Sequence, residues 1–123
     1  MTNYEIRRKI IWYVDRHVTN VIYGINFFKN DTCVGLYIGK TNQPLYQRIN
    51  QHIADCGTVH DYFHDMDYDD ICITAKEFPE DMLFEAEALA LQYNWDNNRP
   101  LINKIIPGRG ISKNNFVNLG RDV

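Results

Sequence analysis

Cysteine is scarce in this chain: Cys33, Cys56 and Cys72 are odd in number and have no CxxC spacing. That excludes a disulfide framework and a cysteine-type zinc centre, and a reducing, cytoplasmic setting is the natural reading. Long apolar runs are missing as well, so no membrane span and no membrane partner are expected. Arg7-Arg8-Lys9 ahead of Ile10-Ile11-Trp12-Tyr13-Val14 has the outline of a leader, but Asp15 and Arg16 interrupt it and no small-residue cleavage site follows. No internal repeat or low-complexity tract is present. Lys40-Thr41 lacks the glycine-rich lead of a phosphate loop, and no zinc finger or helix-turn-helix is appended. What the chain does have is apolar content of 45%, with eight tyrosines, six phenylalanines and two tryptophans in 123 residues. That suits one domain with a single core and argues against disorder.

The net charge of −3 runs against an anionic partner, but its distribution matters more. Residues 51–98 hold 12 of the 16 acids and, among the bases, only Lys76, a local charge of −11. The flanks carry the other bases and sum to +8. A phosphate backbone can be held by the flanks while the acidic segment faces away; equally, the acids can be a plain solvated face.

Hydrophobic periodicity predicts an α+β domain. Residues 4–18 read as an amphipathic helix with a Thr2/Glu5 capping box. Two strands follow at about 21–28 and 33–39, joined by a turn at Lys29-Asn30-Asp31-Thr32. Pro44 opens a helix that runs to about Asp55 and stops at Gly57. The stretch 58–68 reads as a short helix plus an acidic loop, and Ile71–Ala75 as a third strand. Pro79-Glu80-Asp81 opens a long helix to about Tyr93, and a loop-rich tail begins at Asn94.

On the 44–55 helix, Leu45, Ile49 and Ile53 form a buried stripe, and Arg48 and His52 share a face about 100° away. An arginine fork and an imidazole on one face can meet a single anionic group beside a strand that displays Tyr37, although surface Arg and His are common in any helix. Lys40 closes that strand, and Gly39 lets a backbone or phosphate approach closely. Further on, Glu85 and Glu87 project about 200° apart and cannot serve one pocket. Glu87 shares a face with Leu83 and Leu91. A carboxylate so flanked is costly to bury without a cation, which makes it a metal-ligand candidate or else marks the solvent edge of its helix. The His60/His64 and Asp61–Asp70 cluster matches no standard metal loop and is read as a solvated loop, with His60 or His64 reaching the active site as the lesser alternative.

The order and spacing of these residues resemble the GIY-YIG nuclease family. Tyr23 in Ile22-Tyr23-Gly24-Ile25 stands for the first motif and Tyr37 in Tyr37-Ile38-Gly39-Lys40-Thr41 for the second. Arg48 and His52 supply the helix pair, Glu87 the metal-binding acid and Asn103 the terminal amide. Ile106-Pro107-Gly108-Arg109-Gly110 resembles a glycine-rich closing loop. The resemblance covers about 21–110, leaving a helical extension at 1–20 and a C-terminal tail at 111–123.

The resemblance implies a small three-stranded antiparallel sheet flanked by helices, with an extra N-terminal helix. It implies a metal-dependent endonuclease that hydrolyses phosphodiester bonds of nucleic acid, DNA before RNA, with Mg²⁺ (or Mn²⁺) on Glu87. Tyr23, Tyr37, Arg48, His52 and Glu87 would be catalytic, and Lys40, Asn103 and Arg109 would bind substrate. A phenol serving as base would need Lys40 or His52 as a nearby cation. Sequence preference would come from loops, the N-terminal helix or a homodimer.

The chain departs from the family pattern around the first tyrosine. Val21, not glycine, precedes Ile22, and Tyr23 lies 14 residues before Tyr37, a longer interval than the family usually has. Sliding to Gly24-Ile25-Asn26 shortens it to 11 but replaces the phenol with Asn26. The two registers turn opposite strand faces to the site. Two other readings stay open: a GIY-YIG-type module that binds nucleic acid or protein without cutting, and an acidic mimic of nucleic acid.

Overall fold

The computed structural model describes residues 1–104. Its first helix, α1 (Asn3–Lys9), carries the expected capping box: the Glu5 peptide N–H donates to the Thr2 hydroxyl, and the Glu5 carboxylate accepts from the Thr2 N–H. The helix then stops at Lys9, nine residues short of the predicted end. Ile10–Trp12 is instead a strand, β1. Two β-branched residues and an indole have little to gain from continuing a helix when a strand partner is available.

That partner is distant in sequence. Strands β2 (Val21–Lys29) and β3 (Thr32–Thr41) form the expected hairpin, closed by Asn30 and Asp31 in the left-handed region at φ 50° and 64°. Strand β4 (Asp70–Glu77) pairs antiparallel with the other edge of β2, and β1 pairs parallel with β4, Ile10 opposite Ile71 and Trp12 opposite Ile73. The sheet is therefore four-stranded and mixed, in the order β1-β4-β2-β3. The α+β class and the extra N-terminal helix stand, but the helix is shorter than expected and the three-stranded antiparallel sheet is corrected: the segment after α1 supplies a fourth, parallel strand.

Alternation along β2 divides the interior into two layers. Val21, Tyr23, Ile25 and Phe27 face α2 (Leu45–Ala54) and α3 (Thr58–Asp65), where Leu45, Ile49, Ile53, Val59 and Phe63 complete a buried core. Ile22 faces the other way with Leu36 and Ile38, against Leu83, Ala86, Ala88 and Leu91 of α4 (Leu83–Asp96). No side chain caps the N-terminus of α2; the Leu45 and Tyr46 N–H groups donate instead to the Val18 and Arg16 carbonyls, at 2.9 and 2.7 Å. The loop before β4 is held by Lys29, whose ammonium meets Asp67 and Asp69 at 3.1 and 3.3 Å.

The outer edge of β3 is covered by the last described residues. Leu36 N–H donates to the Pro100 carbonyl and Ile102 N–H to the Leu36 carbonyl, both at 2.9 Å. Among the described residues no helix is long and apolar enough to cross a membrane. Arg109, the glycine-rich loop and the tail 111–123 lie outside the described residues.

Candidate active site

Around the β3 edge, between α2, the start of α3 and α4, lies a cavity of about 520 Å³. Tyr37, Arg48, His52, Glu87 and Asn103 all line it. Arg48 and His52 reach it because the buried stripe of α2 turns their shared face toward β3. Glu87 comes from the opposite side of the sheet, carried around the edge by α4. Residues from two layers thus converge where the sheet ends.

Tyr23 is placed differently. Its ring is 1% exposed and belongs to the α2-side core. Its hydroxyl lies 2.6 Å from His52 Nε2, and its ring centroid is 6.3 Å from that of Tyr37. Tyr37 in turn packs edge-on against His52 at 5.2 Å. The three rings form one cluster, with Tyr37 and His52 at the cavity wall and Tyr23 behind them. Gly39 makes this possible: it sits opposite Tyr23 in the ladder, and a Cβ there would run into the phenol carbon and hydroxyl of Tyr23. Asn26 points to the other face, donating from Nδ2 to the Cys72 carbonyl at 3.1 Å. Of the two registers left open by the sequence, the folded hairpin brings Tyr23 to Tyr37 and His52 and takes Asn26 away.

Burial sets the electrostatics of the cluster. It holds the Tyr23 phenol well above its ordinary value of 10, with the neighbouring Tyr37 adding to the rise and Arg48 opposing it. Tyr37 is raised by the same desolvation, reinforced by the Glu87 charge. His52 is pushed down to about 4, by burial first and by the Arg48 guanidinium second. The imidazole is therefore neutral near pH 7 and is not the cation that a phenolate base would need. Lys40 is not free for that role either, since its ammonium lies 3.8 Å from Glu87 Oε1 and 4.8 Å from the centre of the Phe84 ring.

Glu87 is 26% exposed, and desolvation raises its carboxyl even with Lys40 lowering it. It is an under-compensated acid facing a cavity. Among the described residues no three His, Cys, Asp or Glu side chains gather as a ligand cluster. One carboxylate still fits a Mg²⁺ that keeps most of its water and takes further oxygens from a phosphate, the common mode for that ion. Asn103, expected to position backbone or substrate phosphate, clips the strand with its amide, Nδ2 donating to the Ile38 carbonyl at 2.8 Å and Oδ1 accepting from the Ile38 N–H at 3.0 Å, while it lines the cavity.

Two features go against the preferred sequence reading, the first in favour of its lesser alternative. His60 lines the cavity from α3, while His64 is structural, placed 3.0 Å from the Ile53 carbonyl and 2.9 Å from that of Met1. Asp55 also lines it, so the acidic segment does not wholly face away. The i, i+4 spacing of His60 and His64 on a short helix was the available signal, obscured by the surrounding aspartates. Compared with protein-family models, with curated proteins and with solved structures, the chain matches none.

Proposed function

We propose that the chain is a GIY-YIG-type endonuclease that hydrolyses phosphodiester bonds of nucleic acid, DNA before RNA, with one Mg²⁺ or Mn²⁺ held by Glu87. The observation that carries this is the convergence of Tyr37, Arg48 and His52 on one cavity wall with Glu87 across from them, and the Tyr23 hydroxyl 2.6 Å behind His52. The antiparallel part of the sheet, β4-β2-β3, supports the same family resemblance.

Phosphodiester hydrolysis needs charge neutralisation on the phosphoryl oxygens, an activated water and a stabilised leaving oxygen. Glu87 would hold the divalent ion, which when bound would supply Lewis-acid polarisation of the phosphoryl group. Arg48 supplies a fork of N–H donors to the non-bridging oxygens. Tyr37, at the cavity wall with its phenol protonated, orients the water. Tyr23 and His52 form a positioning pair. The neutral imidazole accepts a hydrogen bond from the phenol at Nε2, which fixes its own N–H at Nδ1. That bond holds the ring in the cavity wall, and the proton released by the attacking water passes to bulk water through the open cavity.

Magnesium-dependent nicking of supercoiled plasmid is the test. Wild-type protein converts it to the open circle, and Glu87→Ala abolishes the conversion. Plasmid left intact by wild-type protein in both Mg²⁺ and Mn²⁺ refutes the enzyme. One observation favours a second reading: Tyr23 is buried behind the cavity wall rather than exposed in it, as suits a nucleic-acid- or protein-binding module that does not cut. That module retains affinity for DNA at low salt without nicking it.

A further inference from the structure

The cavity presents Arg48 in an unusual way. Its Nη1 donates to Gln51 Oε1 at 3.1 Å, one turn further along α2. Among the described residues no carboxylate pairs with it. Gln51 is itself held: its Nε2 donates to Gln43 Oε1 at 3.2 Å, and Gln43 Nε2 donates back to Gln51 Oε1 at 3.4 Å. Two amides joined reciprocally cannot flip singly, because either flip sets like against like. Gln43 is fixed in turn by its backbone N–H, which donates to the Thr41 hydroxyl at 3.1 Å, and by the rigid Pro44 that follows. The chain of contacts runs from the end of β3 to the guanidinium.

We infer that Gln51, locked by Gln43, is the positioning residue for Arg48, and that its uncharged amide orients the guanidinium while leaving its full charge for an oxyanion in the cavity. A carboxylate at position 51 would keep an acceptor for Arg48 but lose the N–H that locks it to Gln43, and it would cancel that charge. A phosphodiester oxygen is the oxyanion on the reading proposed above, on which this inference rests. The guanidinium offers five N–H donors; Gln51 takes one on Nη1 and the Tyr23 hydroxyl draws another, so the remaining donors are left for the ligand.

The test separates position from charge and both from cleavage. Nitrogen-15 relaxation of the Arg48 side chain reports its order whether or not DNA is cut. Arg48 is expected to be ordered in the wild type, mobile in Gln51→Met and ordered in Gln51→Glu. Affinity for a fluorescein-labelled oligonucleotide then falls about tenfold in both variants, the scale of one charge-assisted hydrogen bond. In Gln51→Glu the salt dependence of binding also becomes shallower, by about the slope of one neutralised phosphate. In an Arg48→Ala background Gln51→Met has no further effect. Equal order of Arg48 in wild type and Gln51→Met overturns the inference, as does an undiminished effect of Gln51→Met without Arg48. Wild-type protein that orders Arg48 and binds the oligonucleotide but never nicks plasmid overturns the nuclease reading alone.

Discussion

Acidification should unfold this protein through His52, and the size of the effect follows from where the imidazole sits. In the unfolded chain a histidine titrates near 6.5; in the folded protein His52 is held at about 4 by burial and by Arg48. The unfolded state therefore binds the proton first, so stability is intact above pH 6.5, falls as pH drops below it, and levels off below about 4. The gap is worth about 3 kcal/mol, a large part of the stability of a small domain. Urea unfolding of the wild type and of His52→Gln, at half-unit steps from pH 7.5 to 4, removes the contribution of other groups by difference. The two curves should be separated by a nearly constant amount above pH 7 and converge by about 3 kcal/mol toward pH 4. The His52 ring proton, followed by NMR, should show no titration near 6.5. A midpoint within half a unit of 6.5, or two parallel stability curves, would refute the claim that His52 is neutral in the site.

Three further outcomes follow from the same cluster. Gly39→Ala drives a methyl into the Tyr23 ring and should cost about 1–3 kcal/mol by urea unfolding, as overpacked cores do; Tyr23→Leu in the same chain should relieve part of that cost. Tyr23→Phe removes the hydroxyl that positions His52, lowering stability by about 1 kcal/mol and plasmid nicking by about 100-fold, the scale of a misplaced site group, with the acid response of His52 retained. Glu87→Gln should raise the melting temperature in metal-free buffer while ending cleavage. Its carboxyl is raised in the fold, so the ionised form is destabilising at neutral pH, and an amide removes that penalty. A lower melting temperature for Glu87→Gln would mean that its pairing with Lys40 outweighs the desolvation.

Much of this arrangement was legible before folding. The Leu45/Ile49/Ile53 stripe oriented α2, and Arg48 with His52 four residues apart then had to share a wall. The Asn30-Asp31 turn set the hairpin, though only the ladder could decide between Tyr23 and Asn26. The strand at Ile10–Trp12 was hidden because Ile10, Tyr13 and Val14 also satisfy a helical period, and the parallel partner that selects the strand lies sixty residues away. Gln51 and Gln43 gave no signal, since an exposed glutamine and a locked one read alike in sequence. The neutrality of His52 was equally invisible: it depends on burial, which the charges of sequence neighbours do not reveal.

The clip made by residues 100–103 has a consequence for how copies of this protein meet. A sheet edge is a template for pairing with another chain unless something blunts it. Here one edge is a three-residue strand, β1, and the other is overlaid by the Leu36–Leu101 bridge and by a side-chain amide that takes both polar atoms of Ile38. Among the described residues neither edge offers a long open ladder for continuation into a neighbour. Any contact between folded copies would fall on the helices rather than on strand addition, and on α4 Phe84 and Tyr93 stand exposed. Loosening the clip, as Asn103→Ala would do, exposes the strand that borders the cavity. Aggregation kinetics of that variant would then report how well the site's own wall is protected.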